Sequence, residues 1–146
     1  MALQEQVVRD LREAVKARAT ERVSTLRLLM AQLTNEELAL RKRTLSDEET
    51  QRIIQREVKK RKEAAAGFRA GNRFEASERE DAERAILEAY LPVPLSDAEV
   101  EKVVREVLTA SGGVSLGKVV GAVMAKVRGR ADGARVRALV ESILSS

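Results

Sequence analysis

Three observations predict an all-α protein with an N-terminal domain of about four helices and a small C-terminal domain of about three. Apolar residues recur at every third or fourth position along most of the 146 residues. A spacing of two is nowhere sustained, so no half-buried strand is indicated. Two Ser-x-x-Glu capping boxes open apolar runs, and glycine, asparagine or proline closes them.

Leu3, Val7, Leu11 and Val15 stripe a first helix. Val23, Leu26, Met30, Leu33 and Leu40 stripe a second, which ends near Arg41-Lys42-Arg43, where cations suit a helix C-terminus. Ser46-Asp47-Glu48-Glu49 opens a third that runs through Ile53, Ile54, Val58 and Phe68 to a stop at Gly71-Asn72. A fourth runs from about Phe74 through Ile86 and Leu87 to Tyr90. The two prolines then fall together at Pro92 and Pro94, and valine rises from 5 occurrences before Pro92 to 12 after it. The boundary divides the chain into domains 1–91 and 92–146. Ser96-Asp97-Ala98-Glu99 opens the fifth helix, carrying Val100, Val103, Val104, Val107 and Leu108 to a Gly112-Gly113 break. Val119, Val120, Val123, Met124 and Val127 mark the sixth. Val136, Leu139, Val140, Ile143 and Leu144 mark the seventh, with Asp132 as its expected N-cap.

Composition excludes much chemistry. There is no Cys and no His, hence no thiol nucleophile, thiolate zinc site, imidazole base or Ser-His-Asp triad, and no metal or cofactor is expected. No window holds ~18 consecutive apolar residues, and the acidic-containing N-terminal stretch lacks the apolar run of a secretory signal. The expectation is a cytoplasmic protein with no membrane partner. The net charge of +4 conceals blocks: residues 41–73 carry 11 cations and 5 anions, 74–106 carry 4 and 10, and 107–146 carry 6 and 2. Two basic stretches separated by an acidic one suggest a polyanionic partner, against the plainer reading of solvated helix faces. With one Tyr and two Phe there is no base-stacking platform, so nucleic acid would be held through phosphates and shape.

Four motifs bear on a site. Gly112 to Lys118 has the glycine and lysine spacing of a P-loop, but Val119 replaces the magnesium-binding hydroxyl and no strand precedes it, so nucleotide binding is rejected. Gly117, Gly121 and Ala125 form a smooth ridge at i, i+4 and i+8, readable as close helix packing or as a surface for a ligand backbone. The run Lys126 to Arg135 alternates cations with a twice-glycined turn leading to a helix start. It is either a phosphate seat or an ordinary helix corner. On the third helix Arg52, Arg56, Lys59 and Lys60 form a second basic surface. Glu48 to Arg52 and Glu57 to Arg61 are spaced for i,i+4 support, and Glu57 and Arg61 fall on the apolar face. The acidic block Glu75, Glu78, Glu80, Asp81 and Glu83 reads as a solvated face without ligand spacing for a metal.

Several stretches resemble the GatB/YqeY family, which unites small stand-alone bacterial proteins with the C-terminal tail of the B subunit of aspartyl/glutamyl-tRNA amidotransferase. They are Val23 to Leu29, Asn35-Glu36, Arg56 to Glu63, Asn72-Arg73, Tyr90-Leu91-Pro92 and, most specifically, Gly117 to Gly133. The resemblance implies a two-domain helical fold and places tRNA contact on Lys118, Lys126, Arg128, Arg130 and Arg135. It also departs in detail, with Pro94 in place of a polar residue and Arg in place of Lys at 128 and 130. The expected function is a tRNA-binding helical module that contributes affinity and orientation, partnered by tRNA and by amidotransferase subunits or an aminoacyl-tRNA enzyme. The alternatives are a carbon–nitrogen ligase or amidase-like enzyme with glutamine as amido donor, and a protein-interaction adaptor without RNA. Against the enzyme stands the missing His and Cys, since only Lys, Ser and carboxylates remain and no arrangement of them is recognisable.

Overall fold

A computed structural model describes residues 1–112, 115–127 and 129–145, with Ser111 by its main chain alone. Among these residues there are seven helices and no strand: α1 (Leu3–Lys16), α2 (Thr20–Leu40), α3 (Asp47–Ala70), α4 (Phe74–Glu88), α5 (Asp97–Ser111), α6 (Leu116–Val127) and α7 (Gly133–Leu144). No helix among the described residues is long and apolar enough to cross a membrane. The chain divides into two compact units, Met1–Leu91 and Pro92–Ser146.

In the first unit the core is built from Leu3 and Val7 of α1, Leu26, Leu29 and Leu33 of α2, Ile53, Ile54 and Val58 of α3, and Leu87 of α4. The start of α1 is tied to the start of α3: the Leu3 amide donates to Asp47 Oδ1 at 2.9 Å, and the Leu45 amide to Gln4 Oε1 at 2.9 Å. The capping box at Ser46 forms in both directions, with the Glu49 amide donating to Ser46 Oγ and the Ser46 amide to Glu49 Oε1. These bonds, together with Lys42, hold the Glu49 carboxyl down at about 2. α3 and α4 form a hairpin whose tight turn places Asn72 in the left-handed region at φ 58°, a conformation asparagine tolerates better than most residues. Four of the apolar residues that mark the helices are exposed, Val15, Leu40, Phe74 and, in the second unit, Leu144, all at or near helix ends.

In the second unit α5, α6 and α7 each pack on the other two. Eight valines and Leu95 make its buried core. Valine costs helix propensity, but with one dominant χ1 rotamer it loses little further freedom on packing, which suits a small unit. Ser96 and Glu99 form the second capping box, and Gly112 closes α5 at φ 61°. Asp132 occupies the N-cap position of α7, yet its side chain makes no capping bond.

Candidate nucleic-acid interface

The outward face of α6 is made of three residue types. Val119, Val123 and Val127 are buried, while Gly117, Lys118, Gly121, Ala122, Ala125 and Lys126 are exposed. At 100° per residue these exposed positions form two adjacent rows, Gly117-Gly121-Ala125 and Lys118-Ala122-Lys126. A Cβ added at Gly117 or Gly121 would meet nothing within 4 Å, so the ridge does not serve helix packing inside the unit. That overturns the packing reading of the glycines. A glycine inside a helix costs about 1 kcal/mol against alanine, and here no internal contact offsets it. No carboxylate lies on α6, and neither lysine has an ion pair among the described residues. Eight residues separate the lysines, about 12 Å along the axis.

The arginines of the following corner are differently used. Arg128 lies outside the described residues. Gly129 turns the chain at φ 78°, a conformation that favours glycine. Arg130 Nε then donates to the Val93 carbonyl at 2.8 Å, and the Arg130 carbonyl accepts from the Leu95 amide at 2.8 Å. Arg135 Nη2 donates to the Leu95 carbonyl at 2.7 Å, and its Nε to Asp97 Oδ1. Together the two arginines clasp residues 93–97, the segment entering α5, onto the corner between α6 and α7. The charge of Arg130 also assists the Ser96 main-chain and hydroxyl hydrogen bonds in holding Glu99 below the usual carboxylate range. Of the five residues marked for tRNA contact, then, two lysines stand clear on α6 and two arginines are engaged with their own chain.

On α3, Arg52, Arg56, Lys59 and Lys60 are all exposed. Arg56 pairs with Glu36 of α2 at 3.4 Å and Lys60 with Glu57 at 3.2 Å, while Glu48 and Glu63 stand exposed on the same side of the helix. The i,i+4 pairs suggested by spacing are absent among the described residues. Arg61 turns instead to α4, where it pairs with Glu80 at 3.3 Å and with Glu83, its side chain only 12% exposed. Arg69 takes Asp81 at 3.0 Å and Arg84 takes Asp81 and Glu88, so much of the acidic block is neutralised within the unit. Glu75 and Glu78 line a shallow depression with Glu21, Arg79 and Ala82, and no cluster of three metal-type ligands occurs among the described residues.

One constellation had no signal in the sequence. The Tyr90 hydroxyl, just past α4, donates to Asp10 Oδ2 of α1, and Asp10 also meets Arg22 of α2 at 3.7 Å. Burial and the Asp10 carboxylate push the Tyr90 hydroxyl well above the ordinary phenol range. The phenol is thereby held neutral and serves as a donor that fixes the end of α4 to the first two helices. Partners 80 residues apart leave no local pattern to read.

Residues 4–144 match the model of the Yqey-like protein family. Altered inheritance of mitochondria protein 41, mitochondrial, of Pyrenophora tritici-repentis (strain Pt-1C-BFP) is 27% identical over 127 residues, which cover 84% of this chain and 69% of that protein.

Proposed function

The chain belongs to the Yqey-like protein family, related to the C-terminal tail of the amidotransferase B subunit, and from that premise we propose that it is a tRNA-binding helical module. It supplies affinity and orientation for tRNA-dependent amidotransfer and leaves the chemical step to a partner enzyme, in the cytoplasm. The observation that carries this reading is the outward face of α6, where an open Gly117-Gly121-Ala125 row runs beside Lys118 and Lys126 with no carboxylate among them. A surface without side-chain bulk lets a sugar-phosphate backbone approach closely, and the lysines flank it as point charges for phosphates. Arg128 adds a third cation to the run in sequence. Arg130 and Arg135 act on binding through the shape of the unit, since their guanidiniums hold the 93–97 segment.

Titration of the full chain with uncharged and aminoacylated tRNA across a range of salt tests the reading. The wild type is expected to lose affinity steeply with salt, and Lys118→Glu/Lys126→Glu to bind at least about tenfold more weakly with a salt slope shallower by roughly two. Salt-independent binding, or a double variant that binds as well as the wild type, overturns it.

A further inference from the structure

α2 carries apolar residues on two opposite faces, and only one of them is covered. Leu26, Leu29 and Leu33 are buried in the core of the first unit. On the far side Leu28 is 51% and Leu38 73% exposed. These two belong to a run, Ser24, Leu28, Ala31, Asn35 and Leu38, whose spacing alternates four and three and whose members fall within about 80° of one another. All five are outward, in a helix of 21 residues. Charge is also missing from this side. Arg27 is the only charged residue among the eight exposed positions between Ser24 and Ala39, whereas every exposed position from Arg52 to Glu63 on α3 is charged. A charge-depleted face with alternating four and three spacing has the pattern of a two-helix coiled-coil seam, here with leucine at two of its five positions.

We propose that this seam is a self-association surface on which a second copy of the chain docks, α2 against α2, parallel and in register. The identity of the partner follows from the seam itself. Of its two polar positions, Ser24 and Asn35, the carboxamide of Asn35 would be left without partners against an apolar helix, but against the same residue of a second copy each carboxamide both donates and accepts. In that register Leu28, Ala31 and Leu38 also meet their own counterparts. The flanking positions bring Arg27 of one copy beside Gln32 of the other, so no like charges oppose each other. The exposed seam offers no carboxylate to a basic partner and only Arg27 to an acidic one, which disfavours a charge-steered heterologous helix. Five layers, only two of them leucine, make a short seam, so the association is weak and reversible.

The inference is independent of RNA, and its test is run without RNA. Sedimentation of the full chain from about 1 µM to about 500 µM should show passage from one chain to two. Leu28→Glu should raise the dissociation constant at least about tenfold with helicity unchanged by circular dichroism, since half of that side chain is already in water. Because the chain has no cysteine, Ala31→Cys supplies a clean second readout: in the parallel register the two residues lie close enough for a disulfide, and mild oxidation should give a covalent dimer. Ala66→Cys, exposed on α3 and off the seam, is the control. A chain that stays monomeric at the highest concentration overturns the proposal. So does a dimer that survives Leu28→Glu, or cross-linking at Ala31→Cys no faster than at Ala66→Cys.

Discussion

The two basic stretches of this chain end in opposite electrostatic situations. On α3 the cations are largely answered: Arg61 and Arg69 by the carboxylates of α4, Arg56 by Glu36, Lys60 by Glu57, with Glu48 and Glu63 diluting what remains. On α6 two lysines stand on a face of glycine and alanine with no carboxylate on the helix. The stretch with more cations is therefore the weaker candidate for a polyanion. Local net charge, after pairing, decides where phosphate gains attraction, and the pairing is a tertiary property.

The comparison can be broken most forcefully at Arg61. If it is there to neutralise α4, Arg61→Ala strands Glu80 and Glu83 in a half-buried site and should cost the first unit about 2–3 kcal/mol, read as a lower urea midpoint. An unchanged midpoint would mean that the α3 cations are not structural. On the α6 side the sharpest probe is Gly117→Ala/Gly121→Ala, which has open space for both methyls. It should raise the stability of the second unit by about 1 kcal/mol, mostly from the more interior Gly121, and yet weaken tRNA binding. A double variant that is more stable and binds RNA undiminished would deprive the smooth ridge of its assigned purpose.

Acid titration probes the capping boxes, whose carboxyls are lowered in both units. The Glu49 carboxyl sits at about 2 in the folded chain against an ordinary 4.5, so its proton is bound more tightly in the unfolded state. Its contribution is complete above about 4.5 and is lost as pH falls toward about 2; Glu49→Gln should flatten unfolding measured across that window. The smallest effect is expected for Arg52→Glu/Lys59→Glu on α3, which should change tRNA affinity less than about threefold at 0.15 M salt. A loss matching that of the α6 variant would put the RNA on α3 as well.

The helices were legible because caps and a 3.6-residue period are local. Both capping boxes sit at the residues that spell them, and eight of the valines beyond Pro92 line one buried core. What stayed illegible was long-range or depended on subtraction. Arg61 had a carboxylate at the favourable i−4 position and took others 19 and 22 residues away, because the tight turn after α3 lays α4 along it. The clasp from Arg130 and Arg135 to residues 93–97 spans about forty residues, and it turns the end of a run open between phosphate seat and helix corner into a structural corner. Leu28 and Leu38 escaped the stripe of the second helix because a helix apolar on two sides has no single stripe to find.

Tyr90, tied to Asp10, belongs to an optically lopsided molecule. Tyr90 is the sole tyrosine, there is no tryptophan, and both phenylalanines, Phe68 and Phe74, also precede Pro92. All aromatic absorbance and emission therefore originates in the first unit, and the valine core of the second is silent in the near ultraviolet. A phenol hydrogen-bonded to a carboxylate is a dim emitter, so loosening of α4 from α1 would announce itself as brightening at tyrosine wavelengths. A melt followed at those wavelengths and one followed by helix signal would coincide only if both units unfold together.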